Sequence, residues 1–324
     1  MRNALPTLAL AGAALVFGGA TNTASAQAYP TKPIRLLVGF APGGGSDFIA
    51  RTTAPRLSEA LGQPVVVENR PGASGVLATE LGVRAPPDGH TLTVIVSNFA
   101  SYPSLYKLNF DAVKDVQPLI QLTQGPFLVA IHPSLPAKNT RELIALAKKN
   151  PGDLNYASTG SGALSHLGVE HFSMMAGVKL THIPYKGTGP ALVDTIAGLT
   201  QVIFGSILPT LPHVRSGRLR GIAVTTAQRV AAEPNIPTVA ESGLPGYEVN
   251  NWNGLIVPRG TPRAVVERLN AEFAKILNNK EVIQRLQNDG SAPGGGSPEE
   301  FEARLAREMA LWSKVIAKGG IRVE

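Results

Sequence analysis

The chain has 324 residues, 44% of them hydrophobic and 16% charged, which is globular composition and excludes disorder, collagen and a coiled coil. Its 30 Lys and Arg against 23 Asp and Glu leave a net charge of +7. The absence of Cys excludes a disulfide scaffold, a thiol nucleophile, a Cys-ligated metal site and a lipid anchor on Cys.

Arg2 followed by an apolar run from Ala4 to about Gly19, then Ala24-Ser25-Ala26, reads as a signal peptide over 1–26 with a mature start at Gln27. The apolar run is shorter than the roughly 20 residues that a membrane span needs. An exported, soluble mature chain is therefore expected.

Beyond Tyr29, short β-branched runs alternate with longer helical stretches. Ile34 to Phe40 reads as a strand broken by Pro42-Gly43-Gly44-Gly45, with Ser46 and Asp47 capping a helix to about Leu61. Val65 to Glu68 is a second strand, then a helix to about Arg84, and Thr91 to Val96 is a third strand. This β-α-β-α-β order predicts a parallel sheet. The same grammar restarts after Pro126, with strands at 127–131, 154–158, 180–184, 201–204 and 219–225. A helix capped by Thr140 runs to Asn150, and another follows Thr159-Gly160-Ser161-Gly162 to about Ala176. After Pro258 the pattern is helical, over 261–278, 281–288 and 298–318, with Ser291 to Gly296 read as a loop. No linker separates the halves, so two lobes sharing crossing strands at 118–123 and 247–253 are expected.

The loops Ala41 to Asp47 and Thr159 to Ala163 each follow a strand and open a helix. Glycines there admit close backbone approach, and the first amides of a helix are free donors at its positive end. As a pair, one loop per lobe, they predict a clamp for an anion. Further candidates at strand ends are Phe40, Ser97-Asn98, Tyr185 and Gly205-Ser206, with His166 in the first turn after the second loop.

Other chemistries fit poorly. Gly43-x-Gly45 with Glu68 after the next strand invites a dinucleotide site, but Phe48 occupies the place of the third glycine. No P-loop Gly-Lys-Ser/Thr and no Gly-x-Ser-x-Gly elbow occurs. His166 and His171 are five apart and project from different helix faces, so no metal site and no cofactor is expected. The basic residues form no aromatic-interleaved patch for nucleic acid. A competing reading, an exported hydrolase, requires Ser161, His166 and Asp47 to converge.

A linked series of motifs carries a resemblance over nearly all the mature chain. It comprises Gly43-Gly44-x-x-Asp47, Val67-Glu68-Asn69-Arg70-Pro71-Gly72-Ala73-x-Gly75 and Pro87-Asp88-Gly89-His90-Thr91-Leu92. His182-Ile183-Pro184-Tyr185-Lys186-Gly187, Pro237 to Glu248, Trp252-x-Gly254-Leu255 and Pro258-x-Gly260-Thr261-Pro262 complete it. The sequence resembles the Bug (Bordetella uptake gene) family, the periplasmic solute receptors of tripartite tricarboxylate transporters. The resemblance implies a two-lobed α/β periplasmic-binding-protein fold, type II-like, each lobe a mainly parallel sheet flanked by helices and joined by two crossing strands. Lobe 1 is expected over 27–122 plus 251–324 and lobe 2 over 123–250. It also implies that a small carboxylate is held by backbone amides and waters of Ala41 to Asp47, Gly44 and Gly45 included, and of Thr159 to Ala163. Ser97, Asn98 and Ser206 would contact the rest of the ligand. Phe48, Phe99 and Tyr102 near the cleft would favour an aromatic acid, with a core role the stronger reading of Phe48. The implied partners are the permease subunits of such a transporter or a sensor kinase, and no covalent chemistry is needed.

Overall fold

A computed structural model describes Met1 and residues 29–323 apart from Ala41, Lys186, Ala231, Ala232 and Asp289. The expected signal peptide lies outside the described residues. Among the described residues no helix is long and apolar enough to cross a membrane.

In the first half, β1 (Ile34–Val38) lies between β2 (Val65–Asn69) and β3 (Thr91–Val96), all parallel. The connections are α1 (Gly45–Leu61) and α2 (Val76–Val83), with a 3-10 turn at Ser97–Ser101 and the short α3 (Tyr102–Leu105) after β3. The 16-residue β4 (Val116–Ile131) then leaves this half. In the second half, α4 (Thr140–Lys149), β5 (Asn155–Ser158), α5 (Leu164–Ala176), β6 (Thr181–Pro184), α6 (Thr188–Ile196), β7 (Val202–Ser206), α7 (Ile207–Arg215) and β8 (Arg220–Val224) follow. There β5 lies parallel between β6 and β7. The chain returns through β9 (Asn250–Pro258), then α8 (Arg263–Leu277), α9 (Lys280–Asn288), β10 (Ala292–Gly295) and α10 (Pro298–Gly319).

Two long strands join the halves. Val116 to Pro126 of β4 pairs antiparallel with β9, whereas Phe127 to Ile131 pairs antiparallel with β7 and β8. At about 3.3 Å per residue, β4 reaches roughly 50 Å and crosses both sheets without a break. Pro126, which cannot donate to a ladder, marks the change of partner. Thr225 closes the junction, since its hydroxyl accepts from Phe127 N–H (2.8 Å) and its carbonyl accepts from Val249 N–H (2.9 Å). Each half is thus three parallel strands edged by antiparallel crossing strands, a mixed sheet.

Apolar periodicity explains the layers. Ile34, Leu36 and Val38 of β1 pack on Ile49 and Leu57 of α1 and on Leu269 and Phe273 of α8. The second core gathers Val129, Tyr156, Leu167, Phe172 and Phe204. α10 serves both, with Phe301 and Leu305 packed around Trp252 and Trp312, Val315 and Ile316 inside the second core. Its N-terminus carries a reciprocal Ser297–Glu300 capping box.

Local expectations needed correction at several places. Gly44, not Ser46 or Asp47, caps α1, because the Asp47 carboxylate reaches back to Gly43 N–H. Asn139, not Thr140, caps α4, its side chain accepting from Glu142 N–H. The loop read at 291–296 contains β10, which adds an edge strand to β4.

Candidate functional site

The first glycine loop is locked from behind. Asp47, which is buried, accepts from Gly43 N–H (2.9 Å), from Asn69 Nδ2 (2.9 Å) and from Arg51 Nε (2.9 Å). Burial pushes its carboxyl up, but the Arg51, Gly43 and Asn69 hydrogen bonds together hold it below the ordinary carboxylate value. Asn69 Nδ2 also donates to the Phe40 carbonyl (3.0 Å). With its acid held in this way, the first turn of α1 carries no side-chain cap, and its first amides have no acceptor among the described residues.

Ser46 ties that turn to the crossing strands. Its hydroxyl donates to Asn253 Oδ1 (3.0 Å), and Asn253 Nδ2 donates to Thr123 Oγ1 (2.8 Å). Ser97 at the end of β3 donates in the same way to Asn251 Oδ1 (3.1 Å). Asn98 Nδ2 donates to the Ser74 carbonyl (3.1 Å), and its Oδ1 is buried without a partner among the described residues. Ala73 and Ser74 both adopt positive φ, at 44° and 54°, a costly conformation for residues with a Cβ that persists where surrounding contacts impose it.

A cavity of about 250 Å³ lies where α1, α7 and the crossing strands meet. α1 contributes Gly45, Phe48 and Ile49, and β7 with α7 contribute Ser206 to Pro209. Thr123, Gly125 and Pro126 of β4, Asn251 and Asn253 of β9, and Leu286, Gly290 and Ser291 complete the wall. α7 likewise has no side-chain cap. Two helix N-termini without side-chain caps among the described residues, each a positive dipole end, therefore open on one cavity, a setting suited to an anion.

The second glycine loop is braced by side chains around it. Thr159 N–H donates to Ser165 Oγ (3.0 Å), Gly160 N–H to Ser158 Oγ (3.1 Å) and Gly162 N–H to His166 Nδ1 (3.0 Å). Ser161 is exposed and is the loop's available donor. His166 stacks on His182 at 3.7 Å, and His182 Nε2 lies 2.6 Å from Ser158 Oγ. Burial, then the nearness of His182, pushes His166 down to about 3, and burial pushes His182 down to about 4. Both rings are therefore neutral braces of the loop.

The structure thus brings Gly45 and Ser206 together on the cavity wall, with Ser46 and Ser97 one hydrogen bond from it. Gly44 is the α1 cap, and Phe40 contributes its carbonyl to Asn69. Thr159, Gly160, Ser161, Gly162 and His166 form a separate cluster outside that wall. Tyr185 donates to Asp194 Oδ2 (2.8 Å). Gly205 is a packing residue, since a Cβ there would sit 2.2 Å from Thr210 Oγ1. Ala41 lies outside the described residues. No hydrogen bond among the described residues links Ser161, His166 and Asp47, so the hydrolase triad is not assembled. Among the described residues no cluster of His, Asp and Glu could hold a metal ion. The sequence reading missed Asn251, Asn253 and Thr123. The available signal was the i, i+2 placement of two Asn on one face of an otherwise apolar strand.

Comparison with known proteins identifies the family. The model of the tripartite tricarboxylate transporter family receptor matches residues 49–321. BugT of Bordetella pertussis is 32% identical over 320 residues, covering 98% of each chain. Rpa4515 of R. palustris, solved with adipate, is 35% identical with a TM-score of 0.76, covering 91% of this chain and all (100%) of that one. MatC of Rhodopseudomonas palustris, solved with bound malate, is 31% identical with a TM-score of 0.72, covering 89% and 100%. On its motifs, its two-lobed fold and these matches, the chain belongs to the tripartite tricarboxylate transporter receptor family, that of the Bug proteins.

Proposed function

We propose that the chain is a periplasmic receptor that captures a small carboxylate between a lobe of residues 27–122 plus 251–324 and a lobe of residues 123–250. The observation that carries this reading is the pair of uncapped helix N-termini, α1 and α7, opening on one cavity at the crossing strands. Relatives solved with adipate and with malate support a carboxylate as the ligand. The export signal over 1–26 supports the compartment. Binding across both lobes favours the closed form by the ligand's differential affinity for it. The closed form then engages the membrane permease subunits of a tripartite transporter, or a sensor kinase. Receptor action requires no covalent step, and no cofactor enters this mechanism.

The test is a thermal-shift series on the mature chain, comparing carboxylates with their neutral amides. A ligand at about 100 times its Kd adds about 2.7 kcal/mol. At about 2–4 °C per kcal/mol this raises Tm by several degrees. The carboxylates are expected to shift Tm, to be recovered unchanged, and to outdo their amides. Equal shifts by acid and amide, or turnover of either, would contradict the reading.

A further inference from the structure

α10 packs on both halves, but its bonds to them are unequal. Its first turns are tied by polar side chains to the crossing strands. Trp252 Nε1 donates to Glu308 Oε2 (2.9 Å), Arg304 Nη1 to Gln121 Oε1 (2.8 Å) and Arg259 Nη2 to Glu302 Oε1 (2.8 Å). Arg304 and Glu308 also pair with each other (2.8 Å), so one ion pair of α10 holds both β4 and β9. Past Met309 the grip changes. Trp312, Val315 and Ile316 lie in the second core, yet among the described residues no hydrogen bond or ion pair joins 309–319 to the second half. Met309 itself packs against the cores of both halves, an unbranched and adaptable side chain at the point of passage.

The seam between α10 and α5 holds a donor and an acceptor that are not joined. Trp312 Nε1 and His171 Nδ1 are both buried, and neither has a partner among the described residues. His171 stacks on Tyr247 with ring centroids 5.4 Å apart, and it meets Trp312 edge-on, centroids 6.1 Å apart and planes at 83°. Burial pushes the imidazole below its ordinary pKa, so the ring is neutral and one of its nitrogens accepts, whereas an indole N–H only donates. Leaving two such groups unpaired is costly, and a second seating of the two helices that joins them removes the cost. Apolar contacts, being non-directional, permit that slide, and small sliding of packed helices is one of the ways in which domains close.

We infer that α10 travels with the crossing strands and the first half, and that closure slides α5 along it until Trp312 Nε1 donates to His171 Nδ1. The inference rests on the closing motion of the receptor reading above, but its test needs no carboxylate, so either can fail without the other. The chain has two Trp residues, and the indole of Trp252, fixed on Glu308, is the internal control. The experiment is 15N relaxation dispersion on the two indole N–H groups of the unliganded mature protein, assigned with Trp312→Phe. Microsecond-to-millisecond exchange is expected at Trp312 and not at Trp252. In His171→Phe, which keeps the ring on Tyr247 and removes the acceptor, the population of the minor seating falls about 5-fold or more. A flat profile at Trp312, equal exchange at both indoles, or exchange at Trp312 that persists unchanged in a folded His171→Phe overturns the inference. Should that variant not fold, the profiles of the two indoles in the parent chain decide alone.

Discussion

Asp47 shows how a single buried side chain can order a glycine loop. Its carboxylate ties Gly43, Asn69 and Arg51 together, which fixes the approach to α1 and leaves the helix uncapped. Asp47→Asn is expected to lower carboxylate affinity about 10-fold and to cost about 1–2 kcal/mol in urea unfolding, since the Arg51 partner is half exposed. From the sequence, Asp47 reads as a cap or a ligand contact, because the local pattern cannot reveal Asn69 folding back across from β2. The His166–His182 stack supplies a second test at this scale. Both rings titrate near 6.5 when unfolded but at about 3 and about 4 when folded. The folded chain therefore binds fewer protons than the unfolded chain as pH falls from about 6.5 toward 4. This contribution is complete above pH 6.5 and is lost on acidification, by about 2 kcal/mol at pH 5 for His166. Melting curves between pH 7 and 4.5 should show that decline. They should be shallower for His166→Asn, whose amide oxygen can still accept from Gly162.

At the scale of elements, the crossing strands and α10 hold the design together. Gly205 lies at the end of β7 beside the cavity, yet its role is steric. Gly205→Ala is expected to destabilise the fold by about 1–3 kcal/mol through the clash with Thr210. Adding Thr210→Ala should recover most of that loss by thermal melting, an outcome a ligand contact would not give. α10 packs Phe301 and Leu305 around Trp252 and Trp312 in the second core. Trp252 Nε1 also donates to Glu308, which pairs with Arg304 at 2.8 Å. Trp312→Ala is expected to cost about 3–5 kcal/mol in denaturant unfolding. The alternating strands and helices of both halves were legible in the sequence, because apolar periodicity and glycine breaks are local signals. β4 was not legible as one strand, since Gln124-Gly125-Pro126 reads as a break and only pairing with β9 and β8 carries the strand through it. α6 and α7 were hidden by Gly-Pro and Pro-rich composition, and β10 by a glycine tract that only its β4 partner orders.

Over the whole molecule, the halves meet at the crossing strands, along α10, whose Trp312, Val315 and Ile316 enter the second core, and at two close glycine contacts. Gly290 abuts Ile207 and Leu208, and Gly162 abuts Leu105 and Val323, so close that a Cβ would come within 3.0 Å of a neighbour at each. Of the two, the Gly290 contact lies on the cavity wall. The clamp read from the sequence pairs one glycine loop per lobe, whereas the reading proposed above takes α7 as the second helix N-terminus. α7 carries no glycine-rich signature, and its uncapped start beside the cavity is visible only in three dimensions. The central claim is that the leading amides of α1 hold the carboxylate. Gly45, the first residue of α1, is exposed, and a Cβ there meets open space. Proline is tolerated at that helical position and removes only the N–H, and the extended Gly44 before it is compatible with it. Titration calorimetry of Gly45→Pro beside Gly45→Ala therefore isolates the amide from any steric effect. The account predicts that the proline variant binds its carboxylate at least about 10-fold more weakly than the alanine variant, the worth of a hydrogen bond to a charge. Equal affinities in two folded variants would contradict it.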